Sequence, residues 1–400
     1  MSAPKLRFKE FDGDWTLQNL GDSFSLISGY AFPSSSSVDV GARWLKIADV
    51  GIQEMTPNNP SYLPLEYLDK YSQFIVSKND YVIALTRPIL NKKLKIAKVG
   101  ELYDGALLNQ RVAKIYSKTN DLDFIYSLLQ KSKTVEELEN SIAGTDPPNL
   151  SLNDVKEIKL GFPSKEEQMK IASFLSEVDE KISQLTQKHQ LLSQYKQGMM
   201  QKLFSQKMRF KAEDGSEFGE WECIQANSIF ENYSNKNHDG SLTILAATQD
   251  KGVVPRDEID IDIKSSDASV LSYKIIEKGN FVISLRSFQG GIEYSNYEGI
   301  CSPAYTVLKV IKPIDTGFYK AYLKTNDFIQ RLSSTVIGIR DGKQISYQAF
   351  STLMIDYPCL EEQTKIANFL SAIDQKIVVV AQQIEQAKQW KKGLLQQMFV

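Results

Sequence analysis

The segment Pro163–Phe204, PSKEEQMKIASFLSEVDEKISQLTQKHQLLSQYKQGMMQKLF, occurs twice in this chain. Its second copy, Pro358–Phe399, reads PCLEEQTKIANFLSAIDQKIVVVAQQIEQAKQWKKGLLQQMF and aligns without a gap at an offset of 195 residues. The two copies are identical at 19 of 42 positions, which indicates an internal duplication. The 400 residues therefore divide into two repeats of roughly 200 residues each.

Each copy predicts a long helix, because apolar residues alternate between spacings of three and four and no proline interrupts them. This pattern is typical of a coiled-coil seam, and about 42 residues would give a rod of ~60 Å. We expect the two helices to pack on each other; the alternative is a core helix inside each domain. The predicted seam residues are Ile171, Leu175, Val178, Ile182, Leu185, Leu192, Met199, Ile366, Leu370, Ile373, Ile377, Val380, Ile384 and Leu394.

Two lysines interrupt the apolar seam at matching positions, Lys196 and Lys391. A seam lysine costs stability but fixes register or orientation. The aromatic residues beside them, Tyr195 and Trp390, are expected to take over the packing role there.

Helix ends and glycines supply further local expectations. Ser164 and Glu167 predict a capping box, in which each side chain bonds the other's backbone amide. Cys359 replaces the serine in the second copy and predicts a weaker cap. Gly198 and Gly393 predict a kink or a close backbone approach.

The remaining segments predict an α+β fold with sheet-rich cores. Four parts follow from this: a domain at 1–162, a helix at 163–207, a second domain at 208–357 and a second helix at 358–400. Turns are expected at 78–80 and 277–280, each closing a hairpin. The predicted strands are 44–52, 74–86, 95–102, 110–117, 241–248, 281–287 and 304–310, and the predicted short helices are 123–130, 134–142 and 316–324.

The overall composition is that of a globular chain, with 42% hydrophobic and 24% charged residues. No stretch approaches the ~20 apolar residues of a membrane-spanning helix, and the N-terminus has no secretory signal pattern. Three scattered cysteines favour a reducing cytosol over a disulfide framework. The net charge of −2 argues, taken alone, against a nucleic-acid binder.

The charge distribution is more informative than the total. Residues 81–100 contain five basic residues and no acidic one, and such a strip can neutralise phosphates. The alternative is a solvated lysine-rich hairpin. Including loop residues of types that read bases, the candidate DNA-binding residues are Tyr30, Lys46, Arg87, Lys92, Lys93, Lys95, Lys98, Arg111, Arg256, Arg286, Gln289, Arg340 and Lys343.

Catalytic and metal-binding motifs are missing from the sequence. Residues 146–149, DPPN, resemble the motif of amino-group methyltransferases but lack its aromatic fourth residue, and no glycine-rich cofactor loop accompanies them. Residues 338–343 fall one short of a phosphate-binding loop. With two histidines and no Cys/His cluster, we expect no metal site and no catalytic site in this chain.

The sequence resembles the specificity subunit of type I restriction–modification systems over nearly its whole length. The twin P-x-x-E-E-Q-x-K-I-A-x-F-L-S-x-x-D-x-K-I segments carry the resemblance, starting at Pro163 and Pro358. The strand segments 108–112, 245–249 and 302–305 and the tryptophans after Arg-Phe-Lys, Trp15 and Trp221, also resemble this family.

This resemblance implies two target recognition domains, each reading one half of a bipartite DNA site. It also implies that two antiparallel helices set the gap between the half-sites and dock two methyltransferase subunits. S-adenosylmethionine would be bound by those partners, and motor-nuclease subunits would join for cleavage, so this chain would be non-catalytic and would work in a bacterial or archaeal cytoplasm. Phe174 and Phe369, outside the seam, are expected to face the partners.

Two other classes remain open from the residues alone. A coiled-coil scaffold whose globular domains bind protein would have the same helices but no salt-dependent affinity for DNA. A chain that is itself a degenerate methyltransferase would require a cofactor loop in addition to residues 146–149.

Overall fold

The computed structural model describes residues 3–57, 59–142, 147–249, 251–259, 267–284, 292–334 and 345–400. The chain divides into two compact units. Unit 1 comprises Met1–Thr186 and Gln382–Val400, and unit 2 comprises Gln187–Ala381. Both boundaries lie inside a long helix and are 195 residues apart, so they fall at the same position of the repeat.

The strands of unit 1 are β1 Thr16–Asn19, β2 Ser25–Ser28, β3 Ala42–Leu45, β4 Tyr62–Leu63, β5 Tyr81–Ala84, β6 Ile89–Leu90, β7 Lys93–Leu94, β8 Ile96–Lys98, β9 Leu107–Leu108, β10 Val112–Tyr116 and β11 Lys159–Phe162. The helices that begin in this unit are α1 Leu20–Ser23, α2 Tyr67–Lys70, α3 Leu122–Leu128, α4 Ser132–Ser141, α5 Leu152–Val155 and α6 Lys165–Phe204.

The strands of unit 2 are β12 Glu222–Gln225, β13 Phe230–Tyr233, β14 Leu245–Thr248, β15 Gly252–Pro255, β16 Lys274–Ile276, β17 Phe281–Ile283, β18 Glu293–Tyr294, β19 Gly299–Cys301, β20 Thr306–Val310 and β21 Met354–Tyr357. The helices that begin in this unit are α7 Asp267–Val270, α8 Thr316–Tyr322, α9 Asn326–Ser334, α10 Tyr347–Ser351 and α11 Leu360–Gln397.

A four-stranded antiparallel sheet is the middle layer of each unit, and the strand order is equivalent in both. Unit 1 has the order β2-β10-β5-β8, and unit 2 has β13-β20-β17-β18. In β5, Tyr81 and Ile83 face a helical layer, whereas Val82 and Ala84 join a second core on the other face. In β17, Phe281 and Val282 divide in the same way. Alternation of buried residues on both faces explains why these strands are apolar throughout.

The two long helices contribute to both units. In unit 1, Ile171 and Leu175 of α6 share a core with Met398 and Phe399 at the end of the chain. In unit 2, Leu203 shares a core with Ile366 and Leu370. The start of one helix therefore lies beside the end of the other within each unit, as in an antiparallel pair. The α+β class with an internal repeat is confirmed.

Most of the proposed seam positions are buried. Ile182, Leu192 and Ile377 are half-buried, and the other eleven are at most 9% exposed. Lys196 forms an ion pair with Asp374 at 2.6 Å inside unit 2, and Lys391 forms one with Asp179 at 2.6 Å inside unit 1. Each pair is the repeat equivalent of the other, because Lys391 follows Lys196, and Asp374 follows Asp179, by 195 residues.

One local expectation about the helices is wrong, and so is part of a second. Tyr195 and Trp390 do not replace the seam lysines, since both are more than half exposed whereas Lys391 is buried. No atom lies within 4 Å of a Cβ built at Gly198 or Gly393, so neither glycine permits a close approach.

Phe174 and Phe369, outside the seam, are half-buried against rings of the chain itself. Phe174 makes edge contacts with Phe8 at 5.8 Å and Trp390 at 6.0 Å, and Phe369 contacts Phe210 at 5.4 Å. The chain's own residues thus cover part of both rings.

The predicted cap and two strand predictions also need correction. Glu167 donates its backbone amide to Ser164, but its carboxylate bonds Arg7 and Trp15, so the reciprocal bond of a capping box is not made. The strand expected at 44–52 ends at Leu45, and a 3₁₀ helix at Ile47–Asp49 follows. The strand expected from 74 begins only at Tyr81.

The turns at 78–80 and 277–280 form, but neither closes a hairpin. Strand β16 pairs with β19, while β17 pairs with β18 and β20, so the chain changes sheets at Gly279. Gly279 adopts a φ of 99°, a left-handed conformation that favours glycine. Between 74 and 80 the chain runs from a 3₁₀ helix into the turn, and β5 pairs with β8 and β10.

Candidate nucleic-acid interface

The strand register of unit 1 brings several candidate residues to one end of the sheet. Strand β10 pairs with both β2 and β5. The pairing continues past the strand ends, where the Gln110 amide donates to the Tyr30 carbonyl and the Leu85 amide donates to the Arg111 carbonyl. Tyr30, Arg111 and Arg87 therefore emerge from neighbouring strands at the same edge. We call the group Tyr30, Arg87, Lys92, Lys93 and Arg111 the basic sheet end.

A short hairpin carries the two lysines of the basic sheet end. Strands β6 and β7 pair through Ile89–Leu94 and Leu90–Lys93, and the turn residues Asn91 and Lys92 have φ of 51° and 58°. Two consecutive positive φ values are typical of a type I′ turn. The lysine-rich hairpin therefore exists, with Lys92 and Lys93 exposed at its tip.

The four cations of the basic sheet end are available to bind anions. Arg87, Lys92, Lys93 and Arg111 are all exposed, and none forms an ion pair with a carboxylate of the described residues. Their charge is therefore not neutralised locally, which is what contact with phosphates requires.

Tyr30 rests on a group of aromatic rings. Its ring centroid lies 4.7 Å from that of Tyr71, 5.1 Å from Phe32 and 5.6 Å from Phe74, and Tyr30 is 39% exposed. Contacts with three other rings restrict its motion, so Tyr30 offers a firm apolar surface beside the cations.

Two lysines of the predicted strip do not belong to the basic sheet end. Lys95 is half-buried, and its Nζ donates to the Ile47 carbonyl at 3.3 Å; burial lowers the pKa of Lys95. Lys98 lies at the opposite end of β8, where its Nζ is 3.0 Å from the Asp123 carboxylate. Residues 81–100 lack acids in sequence, but folding brings Asp123 to them.

Lys46 also lies close to the basic sheet end, but it follows β3, which belongs to another sheet. The Leu45 carbonyl of β3 accepts a hydrogen bond from Asn109, two residues before Arg111. Its Nζ sits 3.9 Å from the centroid of the Trp44 ring, so the ammonium group is held by a cation–π contact.

Residues 147–149 lie beside Arg87 at this end of the sheet. The Pro148 carbonyl accepts a hydrogen bond from the Arg87 amide at 2.7 Å, and the Thr86 hydroxyl donates to Asn149 at 2.6 Å. Residues Pro147–Asn149 thus support the conformation of Arg87, whose φ is 47°. Asp146 lies outside the described residues.

Unit 2 offers fewer described candidates. Arg256 begins a 3₁₀ helix, and its guanidinium carbon is 6.0 Å from the Tyr273 ring centroid. Sequence reasoning missed Lys236, which is exposed just past β13 as Tyr30 is just past β2. The position of Lys236 at the end of the sheet follows from the pairing of β13 with β20, which the sequence alone does not give. Arg286, Gln289, Arg340 and Lys343 lie outside the described residues.

The described residues offer neither a metal-binding cluster nor a membrane-spanning helix. No group of three or more His, Cys, Asp or Glu side chains there could hold a metal ion. Among the same residues, no helix has the length and apolar character needed to cross a bilayer.

These features define a tandem α+β protein whose first sheet presents an unneutralised basic end. The family model "Type I restriction modification DNA specificity domain" matches residues 13–194 and again residues 220–389. Since the two matches cover most of the chain, the chain belongs to this family, and the resemblance seen in the sequence is confirmed.

Curated relatives agree with the family match. The chain is 31% identical over 212 residues to the type I restriction enzyme MjaVIII specificity subunit of Methanocaldococcus jannaschii, covering 52% of this chain and 50% of the relative. It is 28% identical over 171 residues to the EcoAI specificity subunit of Escherichia coli, covering 42% of this chain and 29% of the relative. A match to the putative MjaX specificity subunit of M. jannaschii is 23% identical and covers 98% and 94%.

Solved structures share the fold. A type I restriction–modification S subunit from M. genitalium aligns with a TM-score of 0.59 at 18% identity, over 100% of this chain and 99% of that one. A chain from a study of complex assembly in a type I system aligns with a TM-score of 0.54 at 17% identity, over 96% and 97%.

Proposed function

We propose that this chain is the DNA-reading subunit of a type I restriction–modification complex, with one half of a bipartite site read by each target recognition domain. The basic sheet end is the observation that carries the proposal. Two unpaired arginines and a fixed tyrosine emerge from neighbouring strands at one sheet edge, and two unpaired lysines lie at the tip of the hairpin that follows Arg87. This arrangement suits contact with phosphates and the adjoining groove. The net charge of −2 does not oppose this, because carboxylates near the sheet pair with other cations and leave the basic sheet end unneutralised: Glu101 pairs with Lys78, Asp123 with Lys98 and Asp80 with Lys114.

In this proposal the helices set the spacer between the half-sites and dock two methyltransferase subunits. Tyr195 and Trp390 support the docking role, since they are repeat equivalents and are 52% and 54% exposed. Large aromatic residues are common anchors of protein interfaces. Two equivalent anchors on a duplicated chain suit two copies of one partner.

Catalysis would then belong to the partners. The methyltransferase subunits would bind S-adenosylmethionine and methylate adenines, and motor-nuclease subunits would join for cleavage. This chain would supply the choice of sequence alone.

Methylome sequencing tests the proposal. We expect a host that expresses this chain with its cognate methyltransferase to gain methylated adenines in one bipartite motif with a fixed spacer. A control host with the methyltransferase alone should lack the motif. If both proteins are expressed and no bipartite motif appears, the proposed function is wrong.

The docking role of Tyr195 and Trp390 has a test of its own. Tyr195→Ala with Trp390→Ala should lower the number of methyltransferase subunits that co-purify with the chain, while binding of the isolated chain to DNA persists. A double variant that retains its full complement of methyltransferase would exclude these residues as anchors.

A further inference from the structure

The Glu-Gln dipeptide in the first turn of each long helix is buried and bonded to two other segments of its unit. In unit 1, Glu167 and Gln168 are 1% and 2% exposed. In unit 2, Glu362 and Gln363 are both 0% exposed. Buried polar side chains at a helix start are destabilising unless fully bonded, so their partners show what these residues do.

Glu167 joins the helix to the segment that enters the domain. The Arg7 guanidinium donates to both of its carboxylate oxygens, at 2.8 and 2.7 Å, and the Trp15 indole donates at 3.4 Å. Arg7 also donates to the carbonyls of Gly13 and Asp12, which folds this segment around the guanidinium. A bidentate arginine–carboxylate pair constrains direction as well as distance.

Gln168 joins the same helix turn to the helical layer of the domain. Its side-chain oxygen accepts from the backbone amide of Asp121 at 2.9 Å, and its amide donates to Asn120 at 2.9 Å. Asp121 is the N-cap of α3 and accepts from the Phe124 amide. The start of α6 is therefore hydrogen-bonded both to the start of α3 and to the segment that contains Arg7 and Trp15.

Unit 2 repeats the arrangement with the equivalent residues. Arg209 donates to both oxygens of Glu362 at 3.0 and 2.7 Å, and Trp221 donates to Glu362 at 2.8 Å. The backbone amide of Asp315, the N-cap of α8, donates to Gln363 at 2.9 Å. The arginine–glutamate pair, the tryptophan bond and the N-cap bond therefore occur in both domains, although the loops of the two domains differ. The joint is thus distinct from the variable surface that would read DNA.

We propose that the two Glu-Gln joints are positioning elements that hold each reading domain at a fixed angle to its helix, and that they thereby restrict the spacer lengths the protein accepts. This inference rests on the proposed function. The four residues are buried and would act through the direction of the domain, not by contact with DNA.

Because the sheet extends away from the joint, a small rotation of the domain about the joint would displace the basic sheet end by a larger distance. Tyr81, at the end of β5 nearer the joint, donates a hydrogen bond to Asp123 in the first turn of α3. Gln168 accepts a hydrogen bond from the backbone amide of Asp121, the N-cap of the same helix. Arg87, six residues further on and three beyond the end of β5, belongs to the basic sheet end, and six residues span at most ~20 Å. A rotation of ~10° about the joint would therefore move Arg87 by up to ~3.5 Å, about one base-pair step. A loose joint would therefore admit a spacer one base pair longer or shorter.

The test is the spacer tolerance of Glu167→Gln, measured with the complete methyltransferase complex. DNA with the wild-type half-sites and spacers from two base pairs shorter to two longer is methylated in vitro, and the rate at each spacer is divided by the rate at the native spacer. For the wild type we expect a strong preference for the native spacer. For the variant we expect the preference over the ±1 spacers to fall by ~10-fold or more, with the half-site sequences unchanged.

A matched variant separates this effect from removal of an ion pair in general. Asp80→Asn removes the partly buried Lys114–Asp80 pair, which has the same 2.7 Å separation as Arg7–Glu167 but lies away from the helix start. It should keep the wild-type spacer preference. If Glu167→Gln does not fold, Arg7→Lys, which keeps the charge but loses the bidentate geometry, is measured in its place.

The outcomes are distinct. A wild-type complex that methylates no bipartite site contradicts the proposed function. A wild-type complex that does so, with a joint variant that shows the wild-type spacer preference, contradicts this inference alone. Equal broadening in Asp80→Asn also contradicts it, because the joint would then have no special part.

Discussion

At the residue scale, the cations near the first sheet fall into two groups: exposed ones at the basic sheet end, and others, such as Lys98 and Lys95, that are paired or half-buried. The acid-free run at 81–100 indicated a basic surface; Arg87 and Arg111 do lie at one sheet end, with Lys92 and Lys93 on the hairpin that follows Arg87. Lys98 could not be separated from them by sequence, because its partner Asp123 comes from a helix 25 residues later. The half-buried position of Lys95 depends on Ile47, 48 residues earlier.

The lysines of the hairpin and Lys98 should therefore respond differently to substitution. Lys92→Gln with Lys93→Gln should weaken binding to cognate and non-cognate DNA alike, and should lower the slope of log affinity against log salt by ~1 for each phosphate that the variant no longer neutralises. Lys98→Gln is the matched control and should leave the slope unchanged. Titrations by fluorescence anisotropy at several salt concentrations measure both; an unchanged slope in the double variant would show that the hairpin does not touch phosphate.

At the scale of elements, the apolar pattern was sufficient to predict the two long helices, and most proposed seam residues are buried. Strand ends were harder to predict. The segment 44–52 reads as one apolar strand, but the Asp49 carboxylate accepts the Lys46 amide at 2.7 Å and stabilises a 3₁₀ helix. Pairing of β16 with β19 and not with β17 depends on residues more than 20 positions away. Local patterns do not contain such partners.

The two repeated ion pairs predict how helix insertions behave. Seven residues inserted after both Lys181 and Lys376 shift Lys391 and Lys196 equally along their helices, so Asp179–Lys391 and Lys196–Asp374 can both re-form in one common register. An insertion in one helix alone changes the register of only one pair. The double insertion should fold and methylate sites whose spacer is longer by ~10 Å, about three base pairs, with unchanged half-sites.

Single insertions are the controls, and they should be less stable in thermal unfolding than the double insertion. A double insertion that is methylation-competent with the original spacer would show that the helices do not set it.

At the scale of the whole molecule, the sequence predicted the duplication but not how the helix ends are distributed. Each repeat contributes one end of its helix to the other unit: residues 382–400 complete unit 1, and residues 187–204 lie in unit 2. Phe399 contacts Trp15 and Phe124 of unit 1, at centroid distances of 6.3 and 5.2 Å. The spacing of apolar residues predicts an apolar face on both long helices, but it does not predict against which domain the end of each helix packs.

Phe399→Ala should consequently destabilise the N-terminal domain, although it lies at the other end of the chain. Truncation of a buried phenylalanine costs about 3–5 kcal/mol. Hydrogen exchange should show faster exchange of the amides of β1 and α3, and little change in β12 and α8. Phe204→Ala, at the equivalent position of the repeat, should do the reverse, since Phe204 contacts Phe318 of α8 at 5.4 Å. A uniform decrease of protection in both variants would contradict this separation.

The shared helix ends also limit how such a gene can exchange its parts. A crossover that replaced everything after residue 208 would bring in a foreign copy of Met398 and Phe399, and these residues would have to fit the old core around Trp15. Exchange of residues 208–357 alone leaves both cores with their own helix ends. New specificities should therefore arise most readily by cassettes that exchange one domain and leave both twin segments, Pro163–Phe204 and Pro358–Phe399, in place.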